Sequence, residues 1–372
     1  MYAVQRAGTH LLLVCLLLVG LGLVMIYSAS SELARVRFDD SSFFLKRQSA
    51  RAALGLVVMW VLSRVPLLAW ARFSRSIMLS AIALLVLVLF FGTGPAQRWL
   101  AMPTFLAGVT FQPSEYAKLA LVLYLADVLV RKEGDLQEFK RGLLPRLVVV
   151  GLVLVLIAAQ PDLGTAIAVG CIAMVLLWVG GVQPLQLGAV LCAGGCGVVL
   201  SLLTSPYQMA RLTNFVNGSG EDAGNYQITQ SLIGMGNGQL FGVGLGNSMQ
   251  KLQYLPEPHT DFVFAFVGEE LGLAGALGVI ALFIAFALYG VRIARDASDS
   301  HGFLLATGIT AMISIYAMLN MGVVTGMLPT TGLPLPFLSY GGSSLLWNMA
   351  GVGILMGVAR HSASRNAGRR RP

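Results

Sequence analysis

The side chains best placed to do chemistry lie at residues 254–272, where a proline-rich loop runs directly into an apolar segment. Glu257, His259 and Asp261 alternate along this loop, and Thr260 is placed to cap the helix that is predicted to open with Asp261. Carboxylates and imidazoles commonly act as general bases. A carboxylate at a helix start is also held ionised by the helix dipole and by backbone amides. The pattern therefore predicts a reactive polar site where the loop meets the apolar segment.

Two more carboxylates, Glu269 and Glu270, follow about two to three turns further along the same predicted helix. If that helix crosses a membrane, an ion facing lipid would cost roughly 3 kcal/mol on insertion scales and more on stricter estimates. Both side chains are therefore predicted to face protein or water.

A second group of charges opens another predicted helix. Glu115 stands three residues before Lys118, so both lie on one helical face. Two interpretations stay open for them: an ion pair within the membrane that fixes helix packing, or a charged wall of a substrate cavity. Arg98 is a candidate anion ligand on the same side of the membrane, and the alternative for it is an interfacial anchor beside Trp99.

Two short connections also carry unusual residues. Asp162 lies between two apolar runs with no room for a long loop, and capping of the following helix is its leading interpretation. The stretch 328–344 holds three prolines and a Gly-Gly pair before the last apolar run. Non-helical backbone at membrane depth is tolerated only where protein buries it or where it lines a cavity. A re-entrant wall is therefore predicted at 328–344 in preference to a plain connector.

Glycines crowd residues 234–246. The strand-to-helix context that a dinucleotide-binding fingerprint needs is lacking there. Backbone amides that approach a phosphate and simple tight turns remain comparable alternatives for this stretch.

The composition places these groups in a membrane protein. Hydrophobic residues make up 56% of the 372-residue chain and charged residues 11%, whereas soluble domains carry about 25% charged residues. The predicted fold class is an all-α polytopic membrane protein with about ten transmembrane helices, because a span needs about 20 apolar residues. The apolar runs lie at 10–28, 50–63, 74–92, 114–130, 145–159, 164–180, 185–203, 262–290, 303–324 and 343–359.

Basic residues predict the orientation, since cytoplasmic loops are enriched in Lys and Arg. Arg6, the 64–75 and 131–146 loops, Arg292 with Arg295, and the tail 360–372 fall on alternate connections, while the 29–49 loop is an exception. Both termini are therefore predicted to be cytoplasmic, with residues 1–372 forming a single membrane domain. The extracytoplasmic loop between spans seven and eight is expected at about 204–260.

The positions of the basic residues and of the cysteines argue against a nucleic-acid site and against disulfides or a zinc site. The net charge of +8 is spread over short loops and is not interleaved with aromatics on one surface, so no nucleic-acid partner is expected. The four cysteines all fall inside apolar runs, and neither disulfides nor a zinc site are expected of them.

Six ordered motifs together resemble the SEDS family, whose members include FtsW and RodA. They are Met25 to Ser30, Phe111 to Lys118, Gln160 to Thr165, Tyr226 to Ser231, Gly246 to Gly272 and Pro329 to Ser344. Residues 244–252 and Gly268 are more similar to FtsW than to RodA. Thr331, however, stands where FtsW proteins usually have lysine, and residues 332–336 resemble RodA-type or sporulation relatives.

The resemblance implies a peptidoglycan glycosyltransferase on the outer face of the bacterial cytoplasmic membrane. Such enzymes polymerise lipid II, a disaccharide-pentapeptide on undecaprenyl pyrophosphate, and work with a class B penicillin-binding transpeptidase. For this chain it implies action at the division septum with other divisome proteins. Asp261 corresponds to the proposed catalytic aspartate of the family, while Glu257 and His259 would orient it or bind sugar. A single displacement by the acceptor would invert the donor anomer without a second, nucleophilic carboxylate.

The donor's pyrophosphate leaves as an anion, which cationic side chains, backbone amides or a divalent cation such as Mg²⁺ or Mn²⁺ would stabilise. No organic cofactor is expected. Arg98, Lys118, Arg211 and Lys251 are available on the outer side. The residues predicted to bind substrate are Arg98, Gln112, Glu115, Lys118, Gln160, Asp162, Lys251, Glu257, His259, Thr260, Ser339, Tyr340, Gly341, Gly342 and Ser343.

Three other functions remain open at this point. A transporter that flips the lipid-linked precursor would need charges deep in the bundle and an inner-facing opening, whereas these groups cluster at the outer boundary. A RodA-type polymerase for elongation would share the same chemistry. A scaffold that only recruits the transpeptidase would leave Glu115, Asp162 and Asp261 without a role.

Overall fold

The structure is a computed structural model that describes residues 2–93, 98–101, 110–131, 138–217, 223–250 and 260–368. Helices dominate these ranges. They are α1 (Tyr2–Phe38), α2 (Phe43–Leu62), α3 (Leu67–Phe91), α4 (Pro113–Arg131), α5 (Leu144–Ala158), α6 (Leu163–Val179), α7 (Pro184–Thr204), α8 (Pro206–Asn217), α9 (Ala223–Asn237), α10 (Val263–Arg295), α11 (Ser300–Val324) and α12 (Gly342–Gly368). A π-helical turn, Phe139–Leu143, leads into α5, and two short antiparallel strands, β1 (Leu100–Ala101) and β2 (Thr110–Phe111), pair before α4.

The chain is a multi-pass membrane protein. Among the described residues, seven helices are long and apolar enough to cross a bilayer: α1, α3, α5 with its π turn, α7, α10, α11 and α12. The helix α6 is apolar but shorter. The two remaining predicted spans fall on α2 and α4, which carry more charge. Each of the ten predicted runs thus lies on a helix, and ten as the number of spans stays a prediction.

The first predicted boundary is wrong. The helix α1 does not end near residue 28 but continues to Phe38, and α2 begins at Phe43, so the predicted 29–49 loop is reduced to a tight connection. Helix-internal hydrogen bonding carries α1 through its serines, since Ser30 Oγ donates to the Ile26 carbonyl at 2.6 Å. At the other end of the chain, α12 continues to Gly368, through most of the predicted tail.

Burial separates a central helix from a peripheral one. Nearly every residue of α4 is buried, including Glu115, Lys118 and Asp127, and it packs against α3, α6 and α11. On α7, by contrast, Leu187 is the buried residue, and most of the other apolar side chains are exposed. The charged helix therefore lies in the protein interior, where partners can satisfy its ions, and the uncharged helix faces the lipid.

The glycine-rich stretch docks against a break in α10. Gly272 has φ +68° and ψ −166°, so the helical hydrogen bonding is interrupted there. Backbone groups from the stretch replace it on both sides of the break. Val243 N donates to Glu269 O at 3.0 Å, Gly244 N to Glu270 O at 3.1 Å, Leu273 N to Gln239 O at 2.9 Å, and Ala274 N to Leu240 O at 3.1 Å. Tight turns with positive φ therefore account for Gly242, Gly244 and Gly246, whereas Gly234 and Gly236 lie in the helix α9.

The non-helical stretch between α11 and α12 is buried, as the re-entrant wall requires. Leu333, Leu335, Phe337 and Leu338 are all part of the apolar core. The backbone at Phe337 and Leu338 comes so close to α1 that a Cβ at Gly22 would collide with it. The segment is thus packed protein that lines a cavity, described next, as predicted for a wall, and its re-entrant position in the membrane stays a prediction.

Candidate active site

A polar cavity of about 450 Å³ lies between the start of α10 and the re-entrant wall. Asp261 is the carboxylate among its described lining residues, and Arg211 of α8 is the guanidinium. The full lining is Arg211, Gln227, residues 260–262, Asn320, Val323 and residues 330–333. Five separate parts of the chain, namely α8, α9, the turn at 260–262, α11 and the wall, therefore meet around one carboxylate and one guanidinium.

The start of α10 differs from the sequence-based prediction. The helix begins at Val263, its N-cap position is Phe262, and that position makes no side-chain capping hydrogen bond. The prediction that Thr260 caps a helix opening at Asp261 is therefore wrong, because residues 260–262 form a turn ahead of the helix. Asp261 is then not the N-cap residue either.

Asp261 is hydrogen-bonded to α11 and lies beside the wall. The Nδ2 of Asn320 on α11 donates to the backbone carbonyl of Asp261 at 2.7 Å. On the wall, Gly332 has φ +71°, and a Cβ built there would lie 3.5 Å from Asp261 Oδ2. A glycine at 332 therefore keeps the space beside the carboxylate free.

Arg211 is tied to the wall from the opposite side. Its Nη1 donates to the Thr330 carbonyl at 3.3 Å, and its guanidinium carbon lies 4.6 Å from the centre of the Tyr207 ring. These contacts orient a cation toward the cavity that holds Asp261. An anion and a sugar hydroxyl could therefore be bound in one place.

Glu115 and Lys118 form a buried ion pair and do not line this cavity. Lys118 Nζ lies 2.6 Å from Glu115 Oε2 and 4.0 Å from the centre of the Tyr316 ring. The lysine side chain has no exposed surface. The prediction that they share a helical face is confirmed. The Lys118 ammonium is buried against Glu115 and the Tyr316 ring, and its predicted use as a substrate ligand stays a prediction.

Arg98 and Asp162 form a second pair next to the first. The Arg98 Nε donates to the Gln160 carbonyl at 2.9 Å, another guanidinium nitrogen contacts the Pro161 carbonyl, and Nη1 lies 3.6 Å from Asp162 Oδ2. Asp162 is the N-cap of α6 and accepts from Thr165 N at 3.2 Å, so the capping interpretation is confirmed. Burial raises the pKa of the Asp162 carboxyl in this turn, while Arg98 and the capping bond lower it.

The two groups of residues are neighbours. Gly164, two residues after Asp162, approaches the wall so closely that a Cβ there would lie 2.7 Å from Thr331 Cβ. Thr331 in turn lines the Asp261 cavity. The turn that holds Asp162 therefore packs against the wall, and Thr331 lies between Gly164 and the cavity.

The predicted residues at 339–343 form a third group. Ser343 Oγ accepts from Gln112 N at 3.1 Å, and Ser339 Oγ accepts from Leu335 N at 2.8 Å. Tyr340 lies under the Arg51 guanidinium, at 4.8 Å from the ring centre to the guanidinium carbon. These contacts join the wall to α2 and to the start of α4. Gly341 and Gly342 complete the turn, and a Cβ at Gly342 would meet Arg51 Nε at 3.0 Å.

Glu269 and Glu270 face protein, as predicted. Glu269 accepts from Met249 N at 3.0 Å and from the Ser248 hydroxyl, and Glu270 Oε1 accepts from Ser28 Oγ at 2.5 Å. Both side chains hold the glycine-rich stretch and α1 against α10. Their role in this structure is to secure that junction.

Three predicted residues, Lys251, Glu257 and His259, lie outside the described residues. Within the described ranges, no group of three or more His, Cys, Asp or Glu side chains is arranged to hold a metal ion.

Sequence reasoning missed several residues of the site. Asn320 and Arg51 each lie in or beside an apolar run, where a single polar side chain is a visible signal. Gln227, which lies within the motif Tyr226 to Ser231, and Thr331, which stands where FtsW proteins usually have lysine, also line the cavity.

Comparisons with known proteins agree over nearly the whole chain. The FtsW/RodA/SpoVE family model, described as "Cell cycle protein", matches residues 9–364. Stage V sporulation protein E of Bacillus subtilis (strain 168) is 42% identical over 360 residues, which cover 95% of this chain and 96% of the relative. A probable peptidoglycan glycosyltransferase FtsW of Geobacter metallireducens is 40% identical over 362 residues, which cover 96% of this chain and 95% of the relative.

Solved structures share the fold. A chain from "Structural coordination of polymerization and crosslinking by a peptidoglycan synthase complex" superposes with a TM-score of 0.78 at 28% identity, covering 95% of this chain and 97% of that one. The rod shape determining protein RodA of Thermus thermophilus gives a TM-score of 0.69 at 28% identity, with 94% and 95% covered. With the family model matching most of its length, the chain belongs to the FtsW/RodA/SpoVE family, the SEDS family.

Proposed function

We propose that this chain is a peptidoglycan glycosyltransferase that polymerises lipid II at the outer face of the cytoplasmic membrane. The observation that carries the proposal is the Asp261 carboxylate, which lines a polar 450 Å³ cavity together with Arg211. The names of the relatives and the peptidoglycan synthase complex support the substrate class.

Asp261 acts as the general base in this proposal. Its carboxylate takes the proton of the acceptor sugar hydroxyl, and that oxygen bonds to the anomeric carbon of the donor sugar. The bond from the same carbon to the pyrophosphate oxygen breaks, and the lipid pyrophosphate leaves with the electron pair. The proton passes from Asp261 to water, which restores the base. A single displacement inverts the anomeric carbon and needs no second carboxylate.

Arg211 stabilises the departing pyrophosphate. It is the cation among the described lining residues, and the Thr330 carbonyl and the Tyr207 ring orient it before substrate arrives. A donor that is already in place stabilises developing charge without reorganisation. Among the predicted cations, Lys118 is enclosed by Glu115, so Arg211 takes over the role first considered for it.

A divalent cation, Mg²⁺ or Mn²⁺, fits the cavity as a companion of the pyrophosphate. Magnesium is usually held by one or two carboxylates together with substrate phosphates, and Asp261 is the one carboxylate of the described lining. Such an ion would neutralise charge on the leaving group. The binding roles of Gln112, Gln160, Asp162, Thr260 and residues 339–343 also stay proposals.

Polymerisation suits the described residues better than transport. The described cavity with charged side chains lies beside the start of α10. A second described cavity, of about 490 Å³ along α3, is lined by apolar residues and serines. Toward the predicted cytoplasmic end of α4, the Asp127 carboxylate forms an ion pair with Arg131 at 2.7 Å and accepts a hydrogen bond from Ser74 Oγ at 2.8 Å. This inner charge is thus engaged by protein, whereas a transporter would need charges that face an inner opening.

The same proposal includes the orientation, the cellular location and the partner of the enzyme. Both termini would lie in the cytoplasm, and the enzyme would act at the septum with other divisome proteins, with a RodA-type role in elongation as the alternative. Its partner would be a class B penicillin-binding transpeptidase whose single span docks on the membrane-facing helices. Co-purification of that span with the chain tests the contact, and equal binding by the partner's soluble domain alone would count against it.

The decisive experiment replaces Asp261 by Asn in the chain reconstituted with its transpeptidase and lipid II. Asparagine keeps the size but cannot accept a proton, so glycan synthesis should fall by a factor of about 100 or more. A variant that polymerises at the parent rate would remove Asp261 as the base.

The matched control is Asp299→Asn. Asp299 is the N-cap of α11 and accepts from Gly302 N at 2.7 Å, a role that asparagine can also fill. This variant should retain normal turnover. An equal loss in both variants would indicate general damage in place of lost base catalysis.

A further inference from the structure

Asn320 of α11 joins the two segments that bound the candidate active site. Its Nδ2 donates to the Asp261 carbonyl at 2.7 Å and to the Leu333 carbonyl at 2.7 Å. Its side chain is 2% exposed, and the residue lines the cavity. One amide group therefore spans from the turn that carries the catalytic carboxylate to the wall that faces it.

The chemistry of the two partners fixes the orientation of this amide. Both are backbone carbonyls, which only accept hydrogen bonds, so the NH₂ group must point at them and Oδ1 must point away. Among the described residues, Oδ1 has no hydrogen-bond partner although it is buried. The side chain is thus used for its two donors, which no aliphatic residue of the same size could supply.

The segments that Asn320 joins have no helical hydrogen bonding of their own at these points. Residues 260–262 form a turn ahead of α10, and residues 328–335 are irregular. Asp261 and Asn320 are 59 residues apart, so their contact is purely tertiary. Loss of the amide donors would free the turn and the wall to move relative to one another.

The separation of turn and wall determines where the carboxylate lies. Asp261 Oδ2 approaches the position that a Cβ at Gly332 would take, within 3.5 Å. A general base must reach its proton within about 2.6–3.2 Å. A displacement of about 1 Å at a reacting group can cost roughly 100-fold in rate.

We propose that Asn320 is a positioning residue for the glycosyl transfer, because its two donors hold the Asp261 turn at a fixed distance from the wall at Leu333. This inference rests on the proposed function. It assigns to Asn320 no contact with the reacting atoms, and its effect reaches the reaction through the position of Asp261.

The test compares Asn320→Leu with Asn348→Leu, in the full chain reconstituted with its transpeptidase and lipid II. Asn348 on α12 is also a fully buried asparagine, and it donates to Ser344 Oγ at 3.1 Å away from the cavity. We expect Asn320→Leu to lower kcat by roughly 30- to 100-fold with little change in KM. Asn348→Leu should change kcat by less than about threefold. Its thermal midpoint should fall by about as much as that of Asn320→Leu.

The pH dependence of kcat in an Asn320→Asp variant distinguishes a positioning role from a purely structural one. A protonated carboxyl carries one O–H donor, whereas the ionised form has only acceptors facing two carbonyls. The kcat of this variant, relative to the parent at the same pH, should be highest at low pH and fall toward that of Asn320→Leu as the pH rises. This comparison also decides the question if Asn320→Leu does not fold.

Two results would overturn the inference: an Asn320→Leu variant with kcat within threefold of the parent, or an Asn320→Asp variant whose relative kcat does not change with pH. The outcome is separable from that of the proposed function. If Asp261→Asn abolishes turnover while Asn320→Leu does not, only the positioning role fails. If Asp261→Asn polymerises normally, the proposed base fails first.

Discussion

Lys118 Nζ and Glu115 Oε2 lie 2.6 Å apart on α4, with neither side chain exposed by more than 2%. The helix itself is mostly buried by its neighbours, so protein surrounds the ion pair. Removing one partner of such a pair leaves a buried charge uncompensated, which costs more than the pair itself contributes.

We therefore expect Glu115→Gln and Lys118→Met each to destabilise the protein by about 3–5 kcal/mol, and the double variant to lose less than the sum. A double-mutant cycle on thermal unfolding in detergent measures the coupling. The exposed pair Glu32 and Arg35, also three residues apart and separated by 3.7 Å, is the matched control. Its single variants should change stability by about 0–1 kcal/mol. Strict additivity at Glu115 and Lys118 would reject the coupling.

A second prediction concerns the junction at the break in α10. Gly242 has φ +83°, and a Cβ there would collide with the carbonyl oxygen of Glu270. Gly242→Ala should destabilise the protein by about 1–3 kcal/mol, since a strained backbone and a backbone clash add together. The thermal midpoint of the purified protein measures this.

Gly236 of α9 serves as the control for that change. No atom lies within 4 Å of a Cβ built at this helical position. Gly236→Ala should therefore be neutral or stabilise by about 0.5–1 kcal/mol. If both alanine variants behaved alike, the tight packing of the glycine-rich stretch against α10 would be refuted.

The ion pair on α4 and the re-entrant wall could be predicted because their causes are local. Glu115 and Lys118 show their pairing through helical spacing, and prolines with a Gly-Gly pair mark a segment that cannot be helical. The contacts of Asn320 could not be predicted, since its partners lie 59 and 13 residues away. In the sequence it is one polar residue in an apolar run.

At the end of α1, the sequence contained a visible signal, but its interpretation was wrong. The first predicted apolar run stops at residue 28, where serines interrupt the apolar sequence. In the fold, Ser28 donates to Glu270 and Ser30 to its own helix, so polar side chains are satisfied without ending the helix. The start of α10 was misplaced by two residues for a related reason, because Phe262, a residue with no capping group, takes the N-cap position.

The predicted orientation can be tested with two cysteine reporters. Cys171, Cys192 and Cys196 are exposed on the surface and should first be replaced by Ala. A cysteine at Thr213 on α8 should then react with an impermeant thiol reagent in intact spheroplasts. A cysteine at Ser364 on α12 should react only after the membrane is opened. The reverse pattern would overturn the topology with both termini in the cytoplasm.

The last prediction tests whether the space beside Asp261 is needed for turnover. Gly332 has φ +71°, and its missing side chain leaves room within 3.5 Å of the Asp261 carboxylate. Gly332→Ala adds one methyl group at the wall and strains the turn by about 1–3 kcal/mol. Because the methyl group would occupy the position from which an acceptor hydroxyl must reach the base, kcat/KM for lipid II should fall by roughly 100-fold or more.

Gly278 on α10 provides the comparison, since a Cβ there meets no atom within 4 Å and the residue faces outward. Gly278→Ala should leave polymerisation at the parent rate. The thermal midpoints of both variants distinguish backbone strain from loss of access to the base. If Gly332→Ala melts within a few degrees of the parent yet fails to polymerise, the variant has lost the space beside Asp261. A Gly332→Ala enzyme with normal kcat/KM would mean that the acceptor reaches Asp261 from another side of the cavity, and the wall at 330–333 would then lose its place in the proposed site.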